Sequence, residues 1–281
     1  MKLVMTLLVR DEADIIGENI TFHLAHGVDH FIATDNLSED ATPDILRDFE
    51  RQGVLHYIRQ TEDDYAQYRW VTHMARLACT AFGADWVINN DADEFWMPHA
   101  GDLKQALAGA PAGCDALAVP RVNFPPRPAR SDGFFAQEMI WRDRVSLNPL
   151  GQPLPGKVCH RAFADIEVSQ GNHLVYRLGQ ALPSQPAPIT IFHFPMRRYD
   201  QFANKIIKGG AAYARNRELP LAIGGTWRQL YGRYLEGGLP AFWEQSLLTD
   251  AAAESRLRVG SIVRDDRLAQ FFARRRLDGG S

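Results

Sequence analysis

Three carboxylates fall within four positions in the stretch Asp91-Ala92-Asp93-Glu94. They come shortly after the apolar run Trp86-Val87-Ile88, which predicts a buried strand of a parallel sheet. In extended chain, residues two apart project to the same side, so Asp91 and Asp93 can converge on one point. Paired oxygen donors suit Mn²⁺ or Mg²⁺, and such a cation suits a diphosphate. The alternative is an acidic turn that merely ends a strand.

The elements that must position this stretch alternate between strands and helices. Ile16, Ile20 and Leu24 recur at helical spacing, and Gly27 suits the end of that helix. The predicted strands are 3–9, 31–34, 54–58, 86–88, 116–119 and 189–194. The predicted helices begin at Asp14 and Thr42 and span about 66–82, 102–108, 199–213 and 227–235, with a proline-rich loop at 120–128. Such alternation predicts a mostly parallel sheet with right-handed crossovers.

Composition excludes several classes of protein. The net charge of −3 gives no case for nucleic-acid binding. Three widely spaced cysteines, Cys79, Cys114 and Cys159, form neither a disulfide framework nor a zinc spacing, which favours a reducing compartment. With no export signal or apolar span in view, we expect a cytoplasmic protein. The cluster Arg274-Arg275-Arg276 fits either a solvated face or a weak contact at the inner face of a membrane.

Two further loops fall on the same rim of the predicted sheet as the acidic stretch. Arg10 follows the first strand and could reach a phosphate. Asp35 follows the second strand and could accept hydrogen bonds from a base or ribose, although Asp35 and Ser38 also suit a simple turn. Arg76, in the helix before the acidic strand, faces either a pyrophosphate or solvent.

In this order and spacing, the motifs resemble the nucleotide-sugar half of family 2-like glycosyltransferases with the GT-A fold. The similarity covers about residues 1–100 in detail and reaches His193 more loosely. It implies that Asp35 contacts the nucleoside, that Asp91 and Asp93 hold Mn²⁺ or Mg²⁺ on the donor diphosphate, and that Arg76 lies toward the phosphates. The usual Asp-Asp-Gly-Ser motif reads Asp35-Asn36-Leu37-Ser38 here, which leaves the base of the donor open.

A later segment, Ile191-Phe192-His193-Phe194-Pro195-Met196-Arg197-Arg198, resembles the histidine-containing segment of related GT-A enzymes. The resemblance implies that His193 completes the metal site, whereas a lone histidine is more often structural. Arg197, Arg198 and Lys205 would stabilise the departing nucleoside diphosphate.

The general base has no clear motif. An inverting transfer needs a carboxylate or imidazole that removes the acceptor's proton. The candidates are Asp165, Glu167 and His173, of which we favour His173 and Asp165. The segment 151–158 nearly matches a P-loop, but Val158 replaces the required Ser or Thr and its prolines lack N–H groups. The aromatics Trp96, Phe124 and Trp141 suit either a sugar-stacking surface or the core.

These observations predict an α/β protein with a GT-A (nucleotide-diphospho-sugar transferase) fold. We expect its mostly parallel central sheet to be flanked by helices and followed by a C-terminal helical extension. Residues 1–110 would bind the nucleotide sugar, 111–198 would form the acceptor side and 199–281 the extension. The predicted function is metal-dependent, inverting transfer of a sugar from a nucleotide-sugar donor to a glycan or other hydroxyl acceptor. The alternatives are a metal-dependent phosphatase or nucleotide-sugar hydrolase, and a degenerate nucleotide-binding module.

Overall fold

The computed structural model describes residues 1–63, 67–129, 133–216 and 223–278. The predicted fold class, α/β with a mostly parallel central sheet flanked by helices, is confirmed. The strands are β1 (Leu3–Val9), β2 (His30–Asn36), β3 (Leu55–Gln60), β4 (Trp86–Asp91), β5 (Glu94–Pro98), β6 (Ala116–Val119), β7 (Arg121–Asn123), β8 (Trp141–Asp143), β9 (Lys157–Arg161), β10 (Ile166–Val168), β11 (Val175–Arg177), β12 (Gln180–Ala181), β13 (Ser184–Pro186), β14 (Ile189–His193) and β15 (Ile262–Arg264). The helices are α1 (Ile16–Ala25), α2 (Thr42–Arg51), α3 (Gln67–Thr80), α4 (Leu103–Ala108), α5 (Tyr199–Arg215), α6 (Gly225–Leu235), α7 (Leu239–Ser246), α8 (Asp250–Arg258) and α9 (Arg267–Asp278), with short 3₁₀ helices at Phe135–Gln137 and Gln170–Asn172.

The central sheet has seven strands in the order β13-β6-β9-β4-β1-β2-β3. Among these described strands, β9 alone runs antiparallel, pairing with β4 on one side and β6 on the other. Its register places Cys159 beside Ile88 and Lys157 beside Val119. Because β9 runs in the opposite direction, its first residue, Lys157, lies at the edge where β4 and β6 end. Residues of β9 therefore reach the rim that carries the acidic stretch.

The chain divides into two compact units. The first comprises Met1–Arg121 and Pro155–Phe192, and the second comprises Val122–Leu154 and His193–Ser281. The boundaries of these units differ from the predicted ones, which fall after residues 110 and 198. The reason is strand pairing, since β9 and β13 return to the central sheet and join residues 155–192 to the amino-terminal part. The functional roles assigned to the three predicted segments stay predictions.

The core of the first unit confirms the predicted buried strands. Val4, Ile32 and Val87 are fully buried in the sheet and belong to one cluster with α3. Strand β4 is parallel to β1, and β1 is parallel to β2, as strand–helix alternation predicts. The predicted start of the third helix at Ala66 lies outside the described residues, and the described helix is α3.

The second unit is mostly helical after residue 199, and one of its apolar clusters joins α5, α6 and α7. The buried members of this cluster are Phe202, Ile206, Leu230, Leu239 and Trp243. Strands β8 and β15 form a separate antiparallel pair. In the described part of the chain, no helix has both the length and the apolar character needed to cross a bilayer.

The prediction of a continuous proline-rich loop at 120–128 is wrong, because β7 forms within it. Pro120 and Pro125 lie on either side of the strand, where their missing N–H groups do not interrupt it. The short strands β5, β8 and β10 to β13 were not predicted either. Most have only two or three residues, too few to show a period in the sequence.

Two glycines test the packing of α5 against α6. A Cβ added at Gly210 would lie well inside van der Waals contact with Cβ of Tyr231, whereas one at Gly232 would meet nothing within 4 Å. We expect Gly210→Ala to lower the free energy of unfolding by about 1–3 kcal/mol, because the helices must separate. The matched Gly232→Ala should raise it by about 0.5–1 kcal/mol through helix propensity. Urea denaturation of both variants checks this, and equal effects would contradict the close packing.

Candidate active site

The acidic stretch forms the turn between β4 and β5, at the carboxyl end of a central strand. Asp91 is the last residue of β4 and is partly exposed, Asp93 is buried, and Glu94 is fully buried as the first residue of β5. The sequence predicted this position correctly. The strand end is also where open α/β sheets place their ligands.

Two cationic side chains, buried Lys157 and partly buried Arg121, compensate this acidic turn. Lys157 Nζ lies 2.6 Å from Asp91 Oδ2 and 2.8 Å from Glu94 Oε2. Arg121 Nη1 lies 2.9 Å from Glu94 Oε1. Burial raises the pKa of Glu94, and the two cations oppose that shift. Lys157 and Arg121 therefore offset negative charge on Asp91 and Glu94.

The side-chain amides of Asn19 and Asn90 form hydrogen bonds around the acidic turn. Asn19 Nδ2, on α1, donates to the carbonyls of Ala92 at 2.9 Å and Glu94 at 2.8 Å. Asn90 Oδ1 accepts from Trp96 Nε1 at 2.9 Å. These amides satisfy the buried carbonyls and so stabilise the backbone conformation that positions the carboxylates.

Two buried histidines form hydrogen bonds with residues on either side of the acidic turn. The backbone N–H of Trp96 donates to His23 Nε2 at 3.0 Å, so the proton of this neutral imidazole is on Nδ1. Asn89 Nδ2 faces His160 Nε2 at 3.0 Å, and His160 Nδ1 donates to the carbonyl of Arg161 at 2.8 Å. Burial lowers the pKa of His23 to about 3 and that of His160 to about 4.

His173 lies near the same charges. Its Nδ1 donates to the carbonyl of Gly156 at 2.7 Å, which leaves the lone pair on Nε2. Burial, followed by the charges of Arg121 and Lys157, lowers the pKa of His173 to about 4, while Asp91 acts in the opposite direction. A neutral imidazole with its proton fixed on Nδ1 is the form that can accept a proton at Nε2.

Asn172 connects this histidine to the acidic turn. Its Nδ2 donates to Asp91 Oδ1 at 3.3 Å, and its φ of 61° lies in the left-handed region. A non-glycine residue in that region stores strain, which is typical of functional sites. Sequence reasoning did not select Asn172, since nothing in its neighbourhood marks a strained asparagine.

The loops after β1 and β2 also meet, as predicted. Asp11 and Leu37 have left-handed φ values of 52° and 61°. Ser38 Oγ accepts from the N–H of Asp11 at 2.9 Å, and Asp11 Oδ1 accepts from the N–H of Glu39 at 2.7 Å. Two strained residues at one rim are held by reciprocal hydrogen bonds, so this corner is rigid and preformed.

Asp35 is buried at the end of β2. Its Oδ1 accepts from the N–H of Ser38 at 3.1 Å, as expected if Asp35 and Ser38 form a simple turn. Its Oδ2 accepts from the Tyr57 hydroxyl at 2.9 Å. Burial, with help from Asp35, raises the pKa of Tyr57 to about 12. Arg10 Nη1 pairs with Asp63 at 2.8 Å. The nucleoside role of Asp35 and the phosphate role of Arg10 stay predictions.

Arg76 and Asp165 make their contacts around the β10–β11 hairpin. Arg76 Nε donates to the carbonyl of Ile166 at 2.7 Å, and its Nη2 lies 3.7 Å from Glu167. Asp165 accepts from Arg177 Nε at 2.8 Å and Nη2 at 3.1 Å, and this hydrogen bonding lowers its pKa. Both oxygens of Asp165 accept from Arg177, whereas Gly156 takes only the Nδ1 proton of His173, so these contacts favour His173 over Asp165.

His193 belongs to the second unit, at the end of β14. Its Nδ1 lies 2.7 Å from Asn123 Oδ1, and Asn123 Nδ2 donates to the carbonyl of Leu147 at 3.0 Å. The asparagine therefore presents its oxygen to the imidazole, fixes the proton on Nδ1 and leaves the lone pair on Nε2, as in metal-binding histidines. The ligand role of His193 stays a prediction.

Other singled-out side chains are placed as follows. Trp96 and Phe124 are buried, so they are core residues and offer no sugar-stacking surface. Trp141 packs against the cluster that contains Leu248. Arg197 is buried, with Nη1 donating to the carbonyl of Phe194 at 3.0 Å. The C-terminal arginines on α9 are exposed, and their membrane contact stays a prediction.

Lys157 and Arg121 were missed by sequence reasoning. The only sequence feature that involved either residue was the P-loop-like segment 151–158. In that segment Lys157 follows Gly156 and begins the apolar strand β9. That rejection stands, because the lysine contacts carboxylates instead of closing a phosphate nest. The antiparallel course of β9 brings it to the site.

The sequence comparisons point to sugar transfer. Residues 5–142, just under half of the chain, match the family model for glycosyltransferase family 92. The match supports a glycosyltransferase. It includes the acidic turn, Arg10, Asp35 and Arg121, and family 92 is distinct from the family 2-like enzymes, so the finer assignment is not confirmed. A comparison with curated proteins gives no match.

Solved structures with similar folds include several sugar transferases. S. aureus TarS 1-349 in complex with UDP-GlcNAc is 12% identical, with a TM-score of 0.44 over 88% of this chain and 84% of that one. Mannosyltransferase PcManGT from Pyrobaculum calidifontis, in complex with GDP-Man and Mn²⁺, is 15% identical, with a TM-score of 0.40 over 100% of this chain and 81% of that one. Glucosyl-3-phosphoglycerate synthase from Mycobacterium tuberculosis, in complex with Mn²⁺, UDP and phosphoglyceric acid, is 18% identical, with a TM-score of 0.32 over 57% of this chain and 56% of that one.

The buried histidines predict how stability depends on pH. An unfolded histidine, with an ordinary pKa of about 6.5, takes up a proton between pH 7 and pH 5. The folded imidazoles of His23 and His160, with pKa values of about 3 and about 4, do not. Acidification therefore lowers the free energy of unfolding, approaching about 1.4 kcal/mol per pH unit for each histidine.

Denaturant titrations at a series of pH values between 7 and 5 measure this slope. In His23→Gln, the slope should decrease by the equivalent of about one proton. An unchanged slope in that variant would contradict the neutral, buried state of His23.

Proposed function

We propose that this chain is a GT-A glycosyltransferase that moves a sugar from a nucleotide-sugar donor to an acceptor hydroxyl, with inversion and with the aid of Mn²⁺ or Mg²⁺. One observation carries the proposal. An acidic turn, fixed by buried amides, ends a central parallel strand inside the region that matches glycosyltransferase family 92. Rigid carboxylates at a strand end suit a diphosphate-bound cation.

The donor side of the proposal uses the rim of the central sheet. Asp35 would receive the nucleoside, and Arg10 would face its phosphates. Asp91 and Asp93, the predicted metal ligands, supply hard oxygen donors of the kind that Mn²⁺ and Mg²⁺ take. His193 is the proposed nitrogen ligand. The ion would neutralise charge on the leaving diphosphate.

The acceptor side needs a base, and His173 is the proposed one. Its Nε2 would take the proton of the acceptor hydroxyl as that oxygen bonds to the anomeric carbon. The bond from that carbon to the diphosphate oxygen breaks, and the nucleoside diphosphate leaves with the electron pair. Gly156 keeps the proton on Nδ1, so Nε2 stays able to accept throughout. The lowered pKa keeps His173 neutral at physiological pH.

The two candidate bases give a direct comparison. We expect His173→Gln to lower kcat for transfer by about 10²–10⁴-fold, the usual effect of losing a general base, with the donor KM changed only a few-fold. Asp165→Asn should leave kcat within about threefold, because it removes an exposed carboxylate–arginine contact. Steady-state kinetics on UDP- and GDP-sugars with an array of hydroxyl acceptors measures both.

The opposite ranking of these variants would contradict the assignment of the base. Release of free sugar or phosphate at the full rate without any acceptor would instead identify a hydrolase. Metal-dependent nucleotide binding without turnover of any donor would identify a binding module. Binding is visible by thermal shift, since a ligand at ~100 Kd stabilises by about 2.7 kcal/mol.

A further inference from the structure

Lys157 is a buried cation whose role is not explained by core packing. Its side chain is 0% exposed, and its ammonium lies between Asp91 and Glu94. An ammonium removed from water is stable only when it is paired, and removing one member of such a pair is strongly destabilising. The lysine therefore has a defined electrostatic function at the rim.

The two residues before Lys157 connect it with the rest of the site. The carbonyl of Pro155 accepts from Arg121 Nε at 2.7 Å, and the carbonyl of Gly156 accepts from His173 Nδ1 at 2.7 Å. A Cβ at Gly156 would lie 2.6 Å from the carbonyl oxygen of Val119, so glycine is required there. The close approach of this segment to the end of β6 fixes where the Lys157 side chain begins.

The geometry points to Lys157 as a positioning residue that acts as an internal counter-cation of the donor site. It holds Asp91 and Glu94 in place next to Asp93, the other predicted metal ligand of the turn. This inference rests on the proposed function, and it changes the assignment of Asp91 from a metal ligand to a partner of Lys157 and Asn172.

The charge balance explains why such a lysine is useful. Lys157 offsets one negative charge of the acidic turn, which favours release of the cation with the leaving diphosphate. Without the lysine, the turn would carry one more uncompensated negative charge and would bind a divalent ion more tightly, because Coulomb energy scales with the product of the charges. A role in packing alone would not alter the affinity for metal in this direction.

Titration of Mn²⁺ against the whole protein without nucleotide, followed by electron paramagnetic resonance of the unbound ion, tests this inference. We expect Lys157→Met to bind Mn²⁺ at least about tenfold more tightly, or to bind a second ion. Lys104→Met, which removes a lysine paired with Asp29 at 2.6 Å elsewhere in the same unit, is the matched control and should match the wild type. Equal or weaker binding by folded Lys157→Met would overturn the inference.

A double variant keeps the test decisive if Lys157→Met does not fold. Glu94→Gln alone removes one negative charge and should weaken Mn²⁺ binding at least about tenfold. Adding Lys157→Met to Glu94→Gln restores the net charge and should return the affinity to within about threefold of the wild type. Failure of the second change to restore affinity would overturn the inference.

Sugar transfer, measured separately, distinguishes this inference from the proposed function. If the affinities follow the charges but no nucleotide sugar is consumed, the counter-cation role stands and the proposed function fails. If the wild type transfers sugar while Mn²⁺ affinity is the same in all variants, the proposed function stands and the counter-cation role fails. No Mn²⁺ binding by the wild type would overturn both the counter-cation role and the metal-dependent step.

Discussion

The buried ammonium of Lys157 between Asp91 and Glu94 is the interaction on which the site depends. Glu94 is fully buried, and its charge is tolerated because Lys157 and Arg121 meet both of its oxygens. The amides of Asn19 and Asn90 fix the backbone of the same turn. The carboxylates therefore have their geometry before any ligand arrives, which is the condition for electrostatic stabilisation of a leaving group.

Much of the first unit could be predicted from the sequence, because its strands are continuous apolar runs and its helices show a clear period. The end of β4 at the acidic stretch followed from the same reasoning. Lys157 could not be found this way. Its place depends on β9 running antiparallel between β4 and β6, and local periodicity gives no information on which distant strands pair.

The candidate site was predicted in its location and only partly in its contacts. Spacing suggested that Asp91 and Asp93 act alike, but Asp91 is held by Lys157 and Asn172. Residue type suggested Asp165 as a base, yet its arginine partner twelve residues later makes it a stable anion. A sequence gives the kinds of side chains near a strand end, whereas their partners depend on tertiary packing.

Anomalous diffraction at the manganese edge, from crystals grown with Mn²⁺ and a nucleoside diphosphate, tests the central claim most directly. The predicted result is one manganese peak on Asp93, with the diphosphate beside it and Lys157 still between Asp91 and Glu94. A peak on Asp91 with the lysine displaced, or nucleotide bound away from this turn, would contradict the account.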